Sequence, residues 1–140
     1  TDAVAADGNS VIRTIGVKAA DRALEDVDAV DEDGNAVLDQ YGVQMVTRGL
    51  KYNAIQKVKQ QQSGYLSRTD WYIIRKADVG TAIPTAIQTF RNAIRADATR
   101  IENAITAATT MDEFIALHTT TYNEDRTVDQ IAITQSWTEE

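Results

Sequence analysis

The hydrophobic pattern of this chain changes period near Leu50. Before that residue, apolar side chains come in short runs rich in β-branched types: Val11–Val17, Val27–Val30, Ala36–Leu38 and Val43–Val46. Acidic turns separate the last three of these runs. Asp31-Glu32-Asp33-Gly34 and Asp39-Gln40-Tyr41-Gly42 repeat an Asp-x-x-Gly pattern eight residues apart. Aspartate closes a turn by accepting from nearby backbone N–H groups, and glycine supplies a positive φ, so this pattern predicts a small antiparallel meander. Val11–Val17 reads as a further short strand ending near Gly16. A two-stranded ribbon alone is marginal in water, so the meander is expected to lean on helices or on another chain. Residues 1–10 are small and polar and are expected to lack fixed structure. Residues 18–26 are alanine-rich and are expected to form one or two helical turns.

From Leu50 the spacing becomes helical. Leu50, Ala54, Val58, Gln61 or Gln62, and Tyr65 recur at steps near 3.6, with Lys51, Lys57 and Lys59 facing elsewhere. Ser63 and Gly64 weaken this helix before Leu66. Thr69 is placed to cap a short helix carrying Trp71, Ile73 and Ile74, which Gly80 breaks. Pro84 stands where a first helical turn tolerates it. Ile87, Phe90, Ile94, Ala98, Ile101 and Ile105 then recur at steps of 3, 4, 4, 3 and 4. That is a seam with coiled-coil spacing, on a helix of about 25 residues, or roughly 37 Å. Thr110 and Glu113 form a capping box that opens a last short helix burying Phe114 and Leu117. Tyr122-Asn123-Glu124-Asp125 reads as another turn, Val128–Ile133 as a strand, and Trp137 lies in a polar tail.

The expected fold is therefore α+β. A small N-terminal antiparallel β meander precedes a helical hairpin with one long helix and a short C-terminal helix. Its parts are a flexible segment over residues 1–10, a β-rich subdomain over 11–48, a helical region over 49–119, and a turn-and-strand tail over 120–140.

Composition narrows the function. With 140 residues, of which 43% are hydrophobic, the chain suits one small domain, and its alanine content makes for a thin core. A net charge of −7 argues against nucleic acid, whose phosphates call for clustered Lys and Arg, and against an anionic membrane surface. No apolar run approaches the roughly 20 residues needed to span a bilayer. Cysteine is absent, which excludes disulfides and thiolate metal sites. Charge is also uneven: residues 21–39 hold eight acids against one base, while Arg48 to Arg100 holds ten of the fourteen bases. That polarity is expected to help neighbouring copies orient, within the 8–10 Å or so that salt leaves unscreened.

Candidate chemistry is sparse. Asp31, Asp33, Asn35 and Asp39 fall at the first, third, fifth and ninth places of a calcium loop. The glycine and the bidentate glutamate that such a loop needs are replaced by Ala36 and Gly42, so a solvated hairpin turn is the reading here. The single histidine, His118, has no nucleophile or ligand set at suggestive spacing and suits a helix C-terminus. Asp112 and Glu113 suit a helix N-terminus. No catalytic, cofactor-binding or metal-ligating residue is expected. The Ile87–Ile105 seam has two readings: packing on the 50–66 helix within the chain, or a seam shared between chains, where isoleucine at both core positions favours more than two strands. Trp71 divides in the same way, between core anchor and interface anchor.

One segment carries a resemblance. Leu66, then Thr69-Asp70-Trp71-Tyr72, then Ile83-Pro84, then Phe90-Arg91-x-x-Ile94-Arg95 resembles the pattern of bacteriophage tail-assembly chaperones, in particular the tail-fibre assembly type. The likeness is specific over about 30 residues and looser from about residue 14 to 128, taking in the Val30–Asn35 turn, Thr47–Leu50 and Thr121–Asn123. Phe90 replaces the usual tyrosine, Arg126 stands where a glycine would close the Asn-x-Asp turn, and Trp137-Thr138 replaces a tryptophan–proline ending. The resemblance implies a non-enzymatic protein that binds tail-fibre or baseplate chains and assists fibre assembly. The alternative it leaves open is a permanent structural subunit of the virion tail. It further implies residence in the phage tail, or in the host cytoplasm during assembly, and self-association, with a trimer as one form. Trp71, Ile87, Phe90, Ile94, Ile101 and Ile105 are the expected packing or contact residues, with Arg91 and Arg95 holding nearby carboxylates.

Overall fold

The computed structural model describes residues 2–4, 11–13 and 22–140. The fold is α+β, with helices predominating over short antiparallel strand pairs. It divides into two compact units, Thr1–Leu50 and Lys51–Glu140.

In the first unit, β1 (Asp2–Val4) pairs antiparallel with β2 (Val11–Arg13), Val4 opposite Val11. Part of the segment expected to lack structure is therefore a strand. Residues 5–10, and residues 14–21 with the end of the Val11–Val17 run, lie outside the described residues. The helical turns expected over 18–26 are not formed at 22–26, which bend instead. Long-range bonds take their place: Leu50 N–H donates to Ala23 C=O at 3.0 Å, and Asp26 accepts from Gly49 N–H at 2.8 Å and from Arg48 at 2.7 Å. Gly49 is buried, and a Cβ there would collide with the backbone of Leu24 and Glu25. Arginine and the backbone bond hold the Asp26 carboxyl below the usual carboxylate range, the Gly49 amide contributing most.

The meander closes on itself. β3 (Val27–Asp28) pairs with β4 (Val46–Thr47), and single bridges join Val30 to Ala36 and Leu38 to Gln44. An eight-residue shift relates these pairings, and Val46 completes the cycle by facing Asp28. The backbone repeats the same cycle: Ala29 N–H donates to Met45, Met45 to Val37, and Val37 to Ala29, at 2.8, 2.8 and 3.0 Å. The Gln44 amide nitrogen sits against all three carbonyls, 2.8 Å from Ala29 and Met45 and 3.3 Å from Val37. The Asp-x-x-Gly period is thus the period of a pseudo-three-fold ring held by hydrogen bonds.

Both turns share one construction. Asp31 and Asp39 each accept two backbone N–H groups on Oδ1, and Gly34 and Gly42 take φ of 83° and 79°. Asn35 N–H is the largest influence holding the Asp31 carboxyl low. The turn between β5 (Thr121–Tyr122) and β6 (Val128–Gln130) has the same backbone bonds, Asn123 N–H to Thr127 and Arg126 N–H to Asn123. Here the left-handed position is Arg126, at φ 67°. A non-glycine residue in that region is strained by about 1 kcal/mol. Arg126→Gly is expected to stabilise the protein by about 0.5–1 kcal/mol, measured by urea unfolding.

The second unit is helical: α1 (Leu50–Ser67), α2 (Asp70–Val79), α3 (Thr85–Ala107) and α4 (Met111–Leu117). The helix α1 runs through Ser63 and Gly64, because a single glycine costs only about 1 kcal/mol and Tyr65 and Leu66 beyond it are packed. Val58 packs with Ala98, Ile101 and Ile105, and Ala54, Ile55, Phe114, Leu117 and Trp137 close around them. Two cations pin α1 antiparallel to α3. Lys51, expected to face away from the apolar stripe of α1, is buried and donates from Nζ to Thr106 C=O at 3.1 Å, an orphan carbonyl at the end of α3. Arg91 does the same for the Leu66 carbonyl at the opposite end. The Thr110–Glu113 capping box forms as the spacing predicts. Of the expected strand over Val128–Ile133, the first three residues form β6, and Ile133–Gln135 turn into a 3-10 helix.

Candidate interaction surface

Arg91 organises the segment that the resemblance singles out. Its Nη1 lies 2.8 Å from Leu66 C=O, 2.8 Å from Thr69 Oγ1 and 2.9 Å from Asp70 Oδ1. Leu66, Thr69, Asp70 and Arg91 therefore form one knot at the α1–α2 corner. Thr69 does not cap α2 through its side chain; its hydroxyl donates back to Leu66 C=O and accepts from Arg91. Both Thr69 and Arg91 are buried.

The knot presents α2 outward. None of that helix's residues is buried, and Trp71 is 51% exposed, Ile74 67% and Val79 66%. The Arg75 guanidinium lies over the Trp71 ring at 4.6 Å and the Tyr72 ring at 5.3 Å, and the two rings are 4.1 Å apart. Arg75 Nε has no hydrogen-bond partner among the described residues, and the two ring faces position this cation. Trp71 thus stands on the surface.

The other expected contact residues separate. Phe90, Ile94, Ile101 and Ile105 are buried within the chain, the last three fully. The seam thus packs within its own unit. Ile87 is half-buried and lines an apolar groove of about 400 Å³ with Phe90, Ala93 and Thr138. Arg91 holds Asp70, as expected for a carboxylate-binding arginine. Arg95 holds no carboxylate among the described residues; it is exposed and its Nη1 reaches the Asn92 side-chain oxygen at 3.5 Å.

The tail around Trp137 is a working part of the fold that periodicity does not show. Trp137 stacks on Tyr65 with ring centroids 5.2 Å apart and packs on the core. Asp97 Oδ2 accepts from Thr138 N–H at 2.8 Å and from its hydroxyl at 2.7 Å, while Arg100 reaches Asp97 and both oxygens of Ser136. Burial pushes the Asp97 carboxyl up, but the Thr138 bonds and Arg100 outweigh it and hold it below its ordinary value. A carboxyl depressed in the folded state stabilises above its unfolded pKa, and that contribution is lost as pH falls through the folded value. Detachment of the tail is therefore expected only below about pH 4, read as a change in Trp137 emission in a Trp71→Phe background.

Residues with candidate chemistry are occupied structurally. His118 caps α4, its Nδ1 2.9 Å from Phe114 C=O and its ring 4.7 Å from the Phe114 ring. Among the described residues no three acids or histidines gather as a metal site, and no helix is long and apolar enough to cross a membrane. No family model, curated protein or solved structure matches this chain.

Proposed function

We propose that this protein binds bacteriophage tail-fibre or baseplate chains and assists tail-fibre assembly, without making or breaking covalent bonds. The observation that carries the reading is the exposed Trp71 on α2, stacked with the half-buried Tyr72 and Arg75. Tryptophan, tyrosine and arginine dominate protein-binding hot spots, because large rigid rings bury much area for little lost freedom. The residues that bear the tail-assembly resemblance, Leu66, Thr69, Asp70 and Arg91, are those that hold this stack at the surface. The groove at Ile87, apolar on its α3 side and bordered by Glu139 and Glu140, offers a second contact surface.

The test is co-expression with a bacteriophage tail-fibre gene. Soluble fibre is expected to rise with the wild-type protein and to fall back with Trp71→Ala, whose melting temperature should match the wild type because the side chain is half exposed. Fibre solubility that ignores both proteins would sink the proposal. Mass spectrometry of purified particles separates the two forms of the role: a stoichiometric amount means a permanent tail subunit, and absence means a chaperone that leaves.

A further inference from the structure

Two exposed apolar surfaces of this chain carry opposite charge. The first is the pseudo-three-fold ring. Val30, Leu38 and Val46 occupy equivalent places in it and are 61%, 53% and 37% exposed; Tyr41 and Val43 flank them at 82% and 59%. Residues 27–47 contain five acids, Asp28, Asp31, Glu32, Asp33 and Asp39, and no base. Hydrogen bonds hold the ring, but it covers almost none of its own large apolar side chains. A ribbon of this size without a covered face is marginal in water.

The second surface is α2. Its exposed Trp71, Ile74 and Val79 are bordered by Arg68, Arg75 and Lys76. Of its two acids, Asp70 is half exposed with its charge paired to the buried Arg91, and Asp78 is exposed. The Arg68 guanidinium lies over Tyr65 at 5.3 Å, extending the cationic and aromatic strip toward α1. No acidic residue occurs on α1 at all.

We propose that the acidic ring of one molecule docks on the basic, tryptophan-bearing α2 face of a second copy. Charge chooses this arrangement. Ring against ring would set five carboxylates against five, and like charges across an interface are strongly disfavoured. Ring against α2 joins acids to bases around an apolar centre, the layout of interfaces in which a polar rim surrounds a desolvated core. The contact is heterologous, so each molecule keeps one free surface of each kind and assembly continues until a ring closes or a filament grows. This inference does not rest on the proposed tail role and can fail or stand without it.

Sedimentation of the full chain tests it. From about 1 to 300 µM, the range where modest interfaces associate, average mass is expected to rise. Raising salt to about 0.5 M, where screening acts within roughly 4 Å, is expected to lower it. Trp71→Ala should weaken association about 30-fold. The decisive experiment uses two double variants, Glu32→Lys with Asp33→Lys, and Arg68→Glu with Lys76→Glu. Each alone should remain monomeric, and an equimolar mixture should associate, because each again meets an opposite charge. All four positions are exposed, so both variants should keep the wild-type melting curve. Carbodiimide cross-linking of mixed isotope-labelled and unlabelled wild-type chains gives an independent readout, with mixed-label products joining Lys76 to the 31–33 turn. A wild type that is monomeric throughout, a mixture that fails to associate, or cross-links confined to single chains would each overturn the proposal.

Discussion

Ile101→Asp is expected to leave the 51–140 unit unfolded. Ile101 has no exposed surface and lies in the cluster of Val58, Ala98 and Ile105, closed over by Phe114, Leu117 and Trp137. The substitution removes a side chain whose burial is worth roughly 1.5–3 kcal/mol. It also places a carboxylate in an apolar cluster, and an unpaired buried charge costs several kcal/mol more. A small domain has only about 5–15 kcal/mol of stability in total. Ile101→Ala separates the two effects: it is expected to fold and to lose about 2–5 kcal/mol, because its cavity is bounded by rigid helices. Circular dichroism and urea unfolding of both variants check this. A cooperative, wild-type-like melt for Ile101→Asp would mean that the seam faces water, as it would if it were reserved for another chain.

The second large effect is at Arg91. Arg91→Met is expected to destabilise the protein by about 1–3 kcal/mol, since it removes one buried donor from Leu66 C=O, Thr69 Oγ1 and the half-exposed Asp70 carboxylate together. Part of that loss is a freed α2 corner, so Trp71 emission should shift even below the unfolding transition. Arg91→Lys should be the milder change. All three contacts come from the one Nη1 nitrogen, and Arg91 Nε makes no hydrogen bond. An ammonium has three donors and can in principle serve the same three acceptors, losing mainly reach. Equal damage from lysine and methionine would show that the planar guanidinium packs in a way its hydrogen bonds do not capture.

Much of the helical unit was legible from spacing alone. Ile94, Ala98, Ile101 and Ile105 are buried because they repeat on one stripe of a 3.6-residue helix, and that stripe is the only apolar one α3 has. The Thr110–Glu113 cap and the Gly80 stop are local chemistry and appear where the residues put them. Misreadings cluster where a residue's partner is distant in sequence. Lys51 falls off the apolar stripe of α1, yet it is buried because the Thr106 carbonyl it serves lies 55 residues away. Thr69 looked like a cap, and it serves Arg91 instead. Trp137 looked like part of a polar tail because its neighbours are polar; only the arrangement of Asp97, Arg100 and Tyr65 explains its docking.

By itself, then, the sequence determined the periods: eight residues in the acidic turns, and steps of 3 and 4 in the seam, since both follow from backbone geometry within a few residues. It also determined the charge imbalance, which no folding event alters. Tertiary structure alone decided that the eight-residue period closes into a ring around the Gln44 amide, and that Arg91 ties the α1–α2 corner. It likewise decided that the isoleucine seam faces inward while Trp71 faces out. Those outcomes depend on which groups meet across tens of residues, and periodicity carries no information about such meetings.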